Sequence, residues 1–291
     1  MNLAIDTYSF FINFGRHQYK PSNPWTLTRY FDFVIENRLN GIHMDPAHYD
    51  PVKDVPILDH FCKENNLYIE LGAMEILSDD FMDYFKAAHI TGSNILRTFI
   101  GGSPDDDPAV MKTRITKSKE NLSHILPLAE KYQIKIAVEN HIDVTSDELD
   151  WLIDFDSPYI GICYDSGNFA AMNENPVKAL KRFKDRILCT HLKDVCPKEI
   201  YPDAPFFGLV GKQVQFCALG EGILPIQAIL SKLLAVKGKD THITLEIPTP
   251  VQSSLSQASL LQQEVDNVLK SIEYIRRGKP RIMDGKKGDN N

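Results

Sequence analysis

The sequence contains no apolar run approaching the ~20 residues that a membrane-spanning helix needs, so no membrane span is expected. It has no excess of basic residues: Lys and Arg number 32 against 39 Asp and Glu, a net charge of −7. Duplex-binding proteins are usually basic, and nucleic acid is therefore not expected as a partner. The five cysteines (Cys62, Cys163, Cys189, Cys196, Cys217) are an odd, scattered set without CxxC spacing, which argues against a disulfide framework. No GxxxxGK[ST] phosphate loop occurs. The first residues, MNLAIDTYSF, lack a basic n-region and read directly into a strand, so a signal peptide is not expected and the cytoplasm is the expected compartment. With 43% hydrophobic and 24% charged residues over 291 positions, the composition is that of a soluble globular chain.

Short β-rich runs alternate with longer helical ones from end to end, which predicts parallel β/α units. Strands are expected at Leu3–Asp6, Gly41–Asp45, Leu67–Leu71, Asn94–Phe99, Ile134–Glu139, Tyr159–Asp165, Ile187–Leu192 and His242–Ile247. They number eight, as a closed (β/α)8 TIM barrel requires, and the length suits one such domain. We place the barrel at 1–278 and read the polar residues 279–291 as a disordered tail. Asp107-Pro108 predicts the start of a long helix reaching Tyr132, bent or interrupted at Pro127. A last helix is expected from about Ser254 to Arg277. Two long connections, 7–25 and 193–224, are rich in aromatics (Tyr8, Phe10, Tyr19 and Trp25; Tyr201, Phe206, Phe207 and Phe216). We read them as pocket walls or lids.

Four successive strands end in a group that can hold a metal: Glu139 in VEN, Asp165 in CYDSGN, His191 in CTHLKD and Glu246 in LEIP. Parallel barrel strands bring all their C-terminal ends to one face. Side chains two apart share a side of a strand. Two residues before each candidate stand Ala137, Cys163, Cys189 and Thr244, all small enough for a barrel interior. The alternate positions, Val138, Tyr164, Thr190 and Leu245, suit packing under helices. The four candidates therefore point inward. Three carboxylates and one imidazole suit a single divalent metal, with Mn2+ favoured and Mg2+, Co2+ or Zn2+ also compatible.

The motifs ENH, YDSGN, HLKD, LGEG and LEIP, in this order and on these strands, resemble the sugar phosphate isomerase/epimerase superfamily (xylose isomerase-like TIM barrel, AP endonuclease 2 family). The resemblance implies that Glu139 and Glu246 bind the metal and also form the acid/base pair, with Asp165 and His191 completing the metal site. It implies isomerisation or epimerisation of a small ketose or keto-sugar, by proton abstraction next to a carbonyl that the metal polarises and through an enediolate. The enzyme alternative is a metal-dependent lyase: a dehydratase like those of inosose or dehydroshikimate, or a 3-keto-glycoside eliminase. Two departures rank an AP endonuclease lower. Asn168 stands where many relatives carry His, and the stretch QVQFCALGEG lacks the expected DxH pair. The non-enzyme alternative is a barrel that only binds sugar or metal.

Around this set, His141 is expected either to contact substrate or to hydrogen bond within its loop. Arg97 reads as a binder of a substrate oxygen or as the partner of Glu70 or Glu139. Lys193 reads as a substrate contact or as the partner of Asp194 or Glu221. Asn168 is a further substrate-contact candidate. Tyr8, Phe10 and Trp25 could wall the pocket or pack in the core. Asp6, His43 and Asp45 end the first two strands and carry less weight, while His17 and His48 are read as loop residues. The Gly residues of LGEG are expected to form a structural turn. The expected partner is a small sugar or keto-sugar, and a homo-oligomer is compatible with the sequence.

Overall fold

The computed structural model describes residues 1–16, 20–103, 105–200, 213–238 and 241–278. Eight strands close a parallel barrel. They are β1 (Asn2–Asp6), β2 (Gly41–Met44), β3 (Tyr68–Gly72), β4 (Ile95–Thr98), β5 (Lys135–Glu139), β6 (Ile160–Asp165), β7 (Ile187–Leu192) and, last in the ring, β10 (His242–Leu245). Around the ring the order is β1-β10-β7-β6-β5-β4-β3-β2. Each expected strand is present, within a few residues of its expected ends. The expected tail at 279–291 lies outside the described residues.

Residue chemistry explains the helix ends. Helix α1 (Leu27–Glu36) starts where the Thr26 hydroxyl accepts the Arg29 amide, and α2 (Val55–Glu64) and α3 (Phe81–Thr91) follow. Helix α4 (Pro108–Tyr132) begins at Asp107, whose carboxylate accepts the Ala109 amide at 2.7 Å, with Pro108 at its first position. It runs unbroken through Pro127, where an interruption or bend was expected. Ser123, whose carbonyl loses its amide partner there, is exposed, so water can take that bond. Helix α5 (Ser146–Leu152) carries a capping box between Thr145 and Glu148. Helices α6 (Ser166–Ala171), α7 (Pro176–Phe183) and α8 (Ile226–Lys237) precede α9 (Gln257–Arg277), which Ser256 caps. No described helix is long and apolar enough to cross a membrane.

The pleat divides the core in two. Val138, Tyr164 and Leu245 join the large apolar layer between strands and helices. Ala137, Cys163 and Cys189 pack with Ile95 in a separate small cluster, and Thr244 turns its hydroxyl to Glu70 at 2.9 Å. Small inner residues leave room at the barrel axis for the polar groups above them.

The connection after β7 differs from a simple loop. Strands β8 (Asp194–Pro197) and β9 (Val214–Cys217) pair antiparallel as a separate two-stranded sheet. Of the aromatics expected in that connection, Tyr201, Phe206 and Phe207 lie outside the described residues, while Phe216 is on β9. The LGEG turn that follows is structural, as expected. Asp194 accepts the amides of Val195 (2.9 Å), Gly220 (3.0 Å), Gly222 (3.2 Å) and Leu224 (3.1 Å). Gly220 takes φ 87°, a value that favours glycine, and any side chain at Gly222 would collide with the Asp194 carboxylate. In the connection after β1, Thr7–Phe10 form a 3-10 turn. Glu264 of α9 accepts the amides of Ile12 and Asn13 at 2.8 Å each.

Candidate metal centre

Glu139, Asp165, His191 and Glu246 come together at the mouth of the barrel. One potential ligand atom from each lies within 4.8 Å of those of the others. The strand register sets this up: Asp165 is level with His191, and the His191 position on β7 faces Thr244 on β10, two residues before Glu246. All four side chains are buried.

Two of them, Glu139 and Asp165, are held from behind. The Asn140 side chain bonds both backbone groups of Asp165, accepting its amide (2.7 Å) and donating to its carbonyl (2.9 Å). Asp165 Oδ1 accepts the Asn168 amide at 2.8 Å. Asn168 Nδ2 in turn donates to Glu139 Oε1 at 2.9 Å. The Arg97 Nε and Nη2 groups contact Glu139 Oε2. Ser166 exchanges hydrogen bonds with both backbone groups of Lys193, at 2.7 and 3.0 Å. Asn140 and Ser166 were not singled out from the sequence. Their only signal is adjacency, each standing directly after a ligand candidate in ENH and YDSGN.

The front of the site is different. Asp165 Oδ2, Glu246 Oε2 and both ring nitrogens of His191 are buried without a hydrogen-bond partner. His191 Nδ1 lies 2.7 Å from Glu246 Oε2 and 3.6 Å from Glu139 Oε2, and Lys193 Nζ lies 2.9 Å from Asp165 Oδ2 and 2.8 Å from Glu246 Oε1. Convergent carboxylate oxygens and an imidazole, in contact chiefly with one another and with Lys193, are the donor set that a divalent cation takes. The residues present therefore fit such an ion.

Burial would raise the carboxyl of Glu139, but Arg97, and then His191, hold it well below the usual carboxylate range. Burial likewise opposes ionisation of Glu246, yet Lys193 and then His191 pull it down to about 2. Asp165 goes the other way: burial pushes it up to about 7 despite Lys193. Beneath the four lies a second string of polar groups. Asp6 Oδ2 is 3.6 Å from His191 Nε2 and 3.5 Å from His43 Nε2, while His43 Nδ1 is 3.4 Å from Glu70. Burial lowers His43 to about 4 and raises Asp6 well above its ordinary value.

A cavity of about 600 Å³ opens over the cluster, a size common for small-molecule sites. Arg97, His141, Asn168, Lys193, Glu246 and Tyr8 line it, as do Asp45, Phe99 and Phe216. Lys193 pairs with Asp165 and Glu246, since Asp194 is engaged by the LGEG turn and Glu221 by Lys270 at 3.0 Å. Arg97 pairs with Glu139; Glu70 is occupied by His43 and Thr244. The His141 ring lies against Phe99, with centroids 5.2 Å apart. Trp25, expected as a substrate contact, does not line the cavity. It stacks on Phe10 at 4.6 Å and packs on Phe33 of α1 at 6.0 Å, because the chain there is already turning into α1 outside the barrel. Phe10 is a core residue, His48 is buried beside Thr7 (3.2 Å), and His17 lies outside the described residues.

The chain is similar to the 3-oxo-isoapionate decarboxylase of Pectobacterium atrosepticum, with 24% identity over 269 residues, 90% of this chain and 91% of the relative. It is 28% identical over 164 residues to the inosose dehydratase of Clostridium perfringens, a match that spans about half of each chain (54% and 52%). Among solved structures, a D-tagatose 3-epimerase-like protein superposes with a TM-score of 0.66 at 17% identity, covering 95% of this chain and 99% of that one; this shows a shared fold. The xylose isomerase-like TIM barrel family model matches residues 75–277, and the chain belongs to that family.

Proposed function

We propose that this chain is a divalent-metal-dependent enzyme that moves a proton at the carbon next to a carbonyl of a small keto-sugar, as an isomerase or epimerase. The observation that carries the reading is the set of four buried ligand atoms, within 4.8 Å of one another, at the floor of a cavity that Glu246 itself lines. Glu139, Asp165, His191 and Glu246 would hold the ion, Mn2+ being the preferred choice. When bound, it would acidify the C–H beside the substrate carbonyl and stabilise the charge that develops on oxygen.

The two glutamates differ. Glu246 opens on the cavity, and we assign it as the base. Glu139 has Oε1 on Asn168 and Oε2 on Arg97, so those residues fix the orientation of the opposing carboxylate of the pair. Lys193 and His141 line the same cavity and hold substrate oxygens. Tyr8 and Phe99 supply apolar wall. The five cysteines are free thiols, in keeping with a reducing cytoplasm.

A lyase is the second reading. The relative aligned over nine-tenths of both chains is named a decarboxylase. Loss of CO2 from a 3-oxo acid leaves its bonding electron pair beside the carbonyl, the same electron distribution that proton removal gives. One site can therefore support both reactions, with Lys193 or Glu246 delivering the proton afterwards. The test is a panel of keto-sugars, inososes and 3-oxo sugar acids incubated with the Mn2+-loaded protein in D2O and followed by NMR. Deuterium at one carbon with an isomeric product supports the first reading. Release of water or CO2 supports the second. Absence of turnover and of exchange throughout the panel contradicts both.

A further inference from the structure

Arg97 is 5% exposed and lines the cavity. A guanidinium has two forks, one formed by Nε–H with Nη2–H and one by Nη1–H with the outer Nη2–H. In this protein the first fork is spent on Glu139 Oε2. The second is not: Nη1 is buried with no hydrogen-bond partner. The Phe99 ring, 5.0 Å from Arg97 Cζ, covers one face of the group. Asp45 also faces the cavity; its Oδ1 accepts the Ala47 amide (2.8 Å) and lies 4.0 Å from His48 Nδ1, and its charge acts on Arg97 through space without a hydrogen bond to Nη1. Leaving a charged donor buried and unpaired is costly, and a fork of this geometry matches the two oxygens of a carboxylate or phosphate.

We propose that the substrate carries an anionic group and that the free fork of Arg97 receives it. Glu139 anchors the other edge, so the guanidinium is oriented before the ligand arrives and little side-chain freedom is lost on binding. Placed there, the anionic group would fix which end of the keto-sugar faces Glu246. This rests on the cavity being the substrate site; it does not depend on whether the reaction is an isomerisation or a lyase step.

The test uses three probes of similar carbon skeleton: 2-keto-D-gluconate, D-fructose 6-phosphate and D-fructose. Binding to the Mn2+-loaded protein is measured by calorimetry. One charged probe should bind roughly ten- to a hundred-fold tighter than fructose, the range expected of hydrogen bonds to a charged group; which one does so separates carboxylate from phosphate. Arg97→Lys keeps a positive charge against Glu139 and loses the fork, so the preference should collapse while metal content is retained. Arg97→Met should abolish the preference and, if it fails to fold, the Lys variant still decides. No preference for a charged probe, whether from equal binding or from none, overturns the proposal, as does full preference in Arg97→Lys. Deuterium exchange on the same probes reads the proton chemistry separately. Anion preference without exchange would sink the isomerase reading alone, and exchange without preference this proposal alone.

Discussion

The Lys193 ammonium lies 2.8 Å from Glu246 Oε1. The same nitrogen is 2.9 Å from Asp165 Oδ2 and 3.9 Å from Glu139 Oε1, so a single buried cation faces all three carboxylates that would hold a metal and offsets part of their charge. Removing one member of a buried ion pair typically costs ~3–5 kcal/mol.

Lys193→Met should therefore destabilise the metal-free protein, with a melting temperature lower by roughly 10 °C. Added Mn2+ should raise the melting point of the variant by more than that of the wild type, because the ion replaces the missing charge. Thermal melts with and without EDTA measure this. An equal Mn2+ response in both proteins would contradict the charge-compensation role.

Glu246→Gln should lower solvent-deuterium exchange at the substrate carbon by at least ~100-fold, the lower range for a general base, with metal content reduced but not abolished. Glu139→Gln should also lose turnover, and because Arg97 would then lack its anionic partner, it should lose stability as well. Single-turnover NMR together with a melt separates the two. If Glu246→Gln keeps normal exchange with metal bound, the base is another cavity residue, with His141 or Lys193 next in order.

Asp143 gives a pH signature. Its Oδ2 accepts the Gly101 amide at 2.7 Å, and its Oδ1 is buried without a partner. Burial raises the carboxyl from 3.8 to about 7. The folded state therefore binds a proton that the unfolded chain releases, so this stability is full below about pH 4 and is lost as pH rises through about 7. Asp143→Asn keeps an acceptor for Gly101 and cannot ionise. Its melting point should match wild type near pH 4 and exceed it increasingly toward pH 8, where both are measured by calorimetry. A difference independent of pH would contradict the assignment.

Glu264 tests whether the segment after β1 is a fixed wall. Besides the two amides, its Oε2 accepts Asn13 Nδ2 at 2.7 Å. Glu264→Ala leaves the Ile12 and Asn13 amides unpaired, at ~1–3 kcal/mol each, while Asn13 Nδ2 keeps the Leu261 carbonyl at 3.0 Å. Hydrogen exchange of residues 7–16 should accelerate selectively in this variant. Unchanged protection would mean that the aromatic packing alone holds the turn.

The barrel was legible because eight short β-rich runs and their helices carry local signals: periodicity, the helix start at Asp107-Pro108, and the small inner residues Ala137 and Cys163. The convergence of the four candidate ligands was legible for the same reason, since the pleat fixes which side of a strand a residue faces. Partnerships between strands were not. Whether Arg97 meets Glu70 or Glu139 depends on register: Arg97 is level with Gly72 and Ala137, so Glu139 lies one inward position above it and Glu70 one below. The Lys193 partners depend on where Asp194 is drawn, which the four amides after β7 decide. The β8–β9 hairpin pairs residues across a long insertion, a contact that no local pattern announces. The choice for Trp25 between pocket wall and core stayed open because an aromatic in a long loop carries no sign of which face of the barrel wall it packs against.

The most direct measurement is Mn2+ binding to EDTA-treated protein, by calorimetric titration with elemental analysis of the dialysed complex. Wild type should bind about one ion per chain, and Asp165→Ala and His191→Ala, verified as folded by circular dichroism, should each lose most of that binding. Full occupancy in both variants, or no ion bound by the wild type, would show that Glu139, Asp165, His191 and Glu246 do not form a metal site.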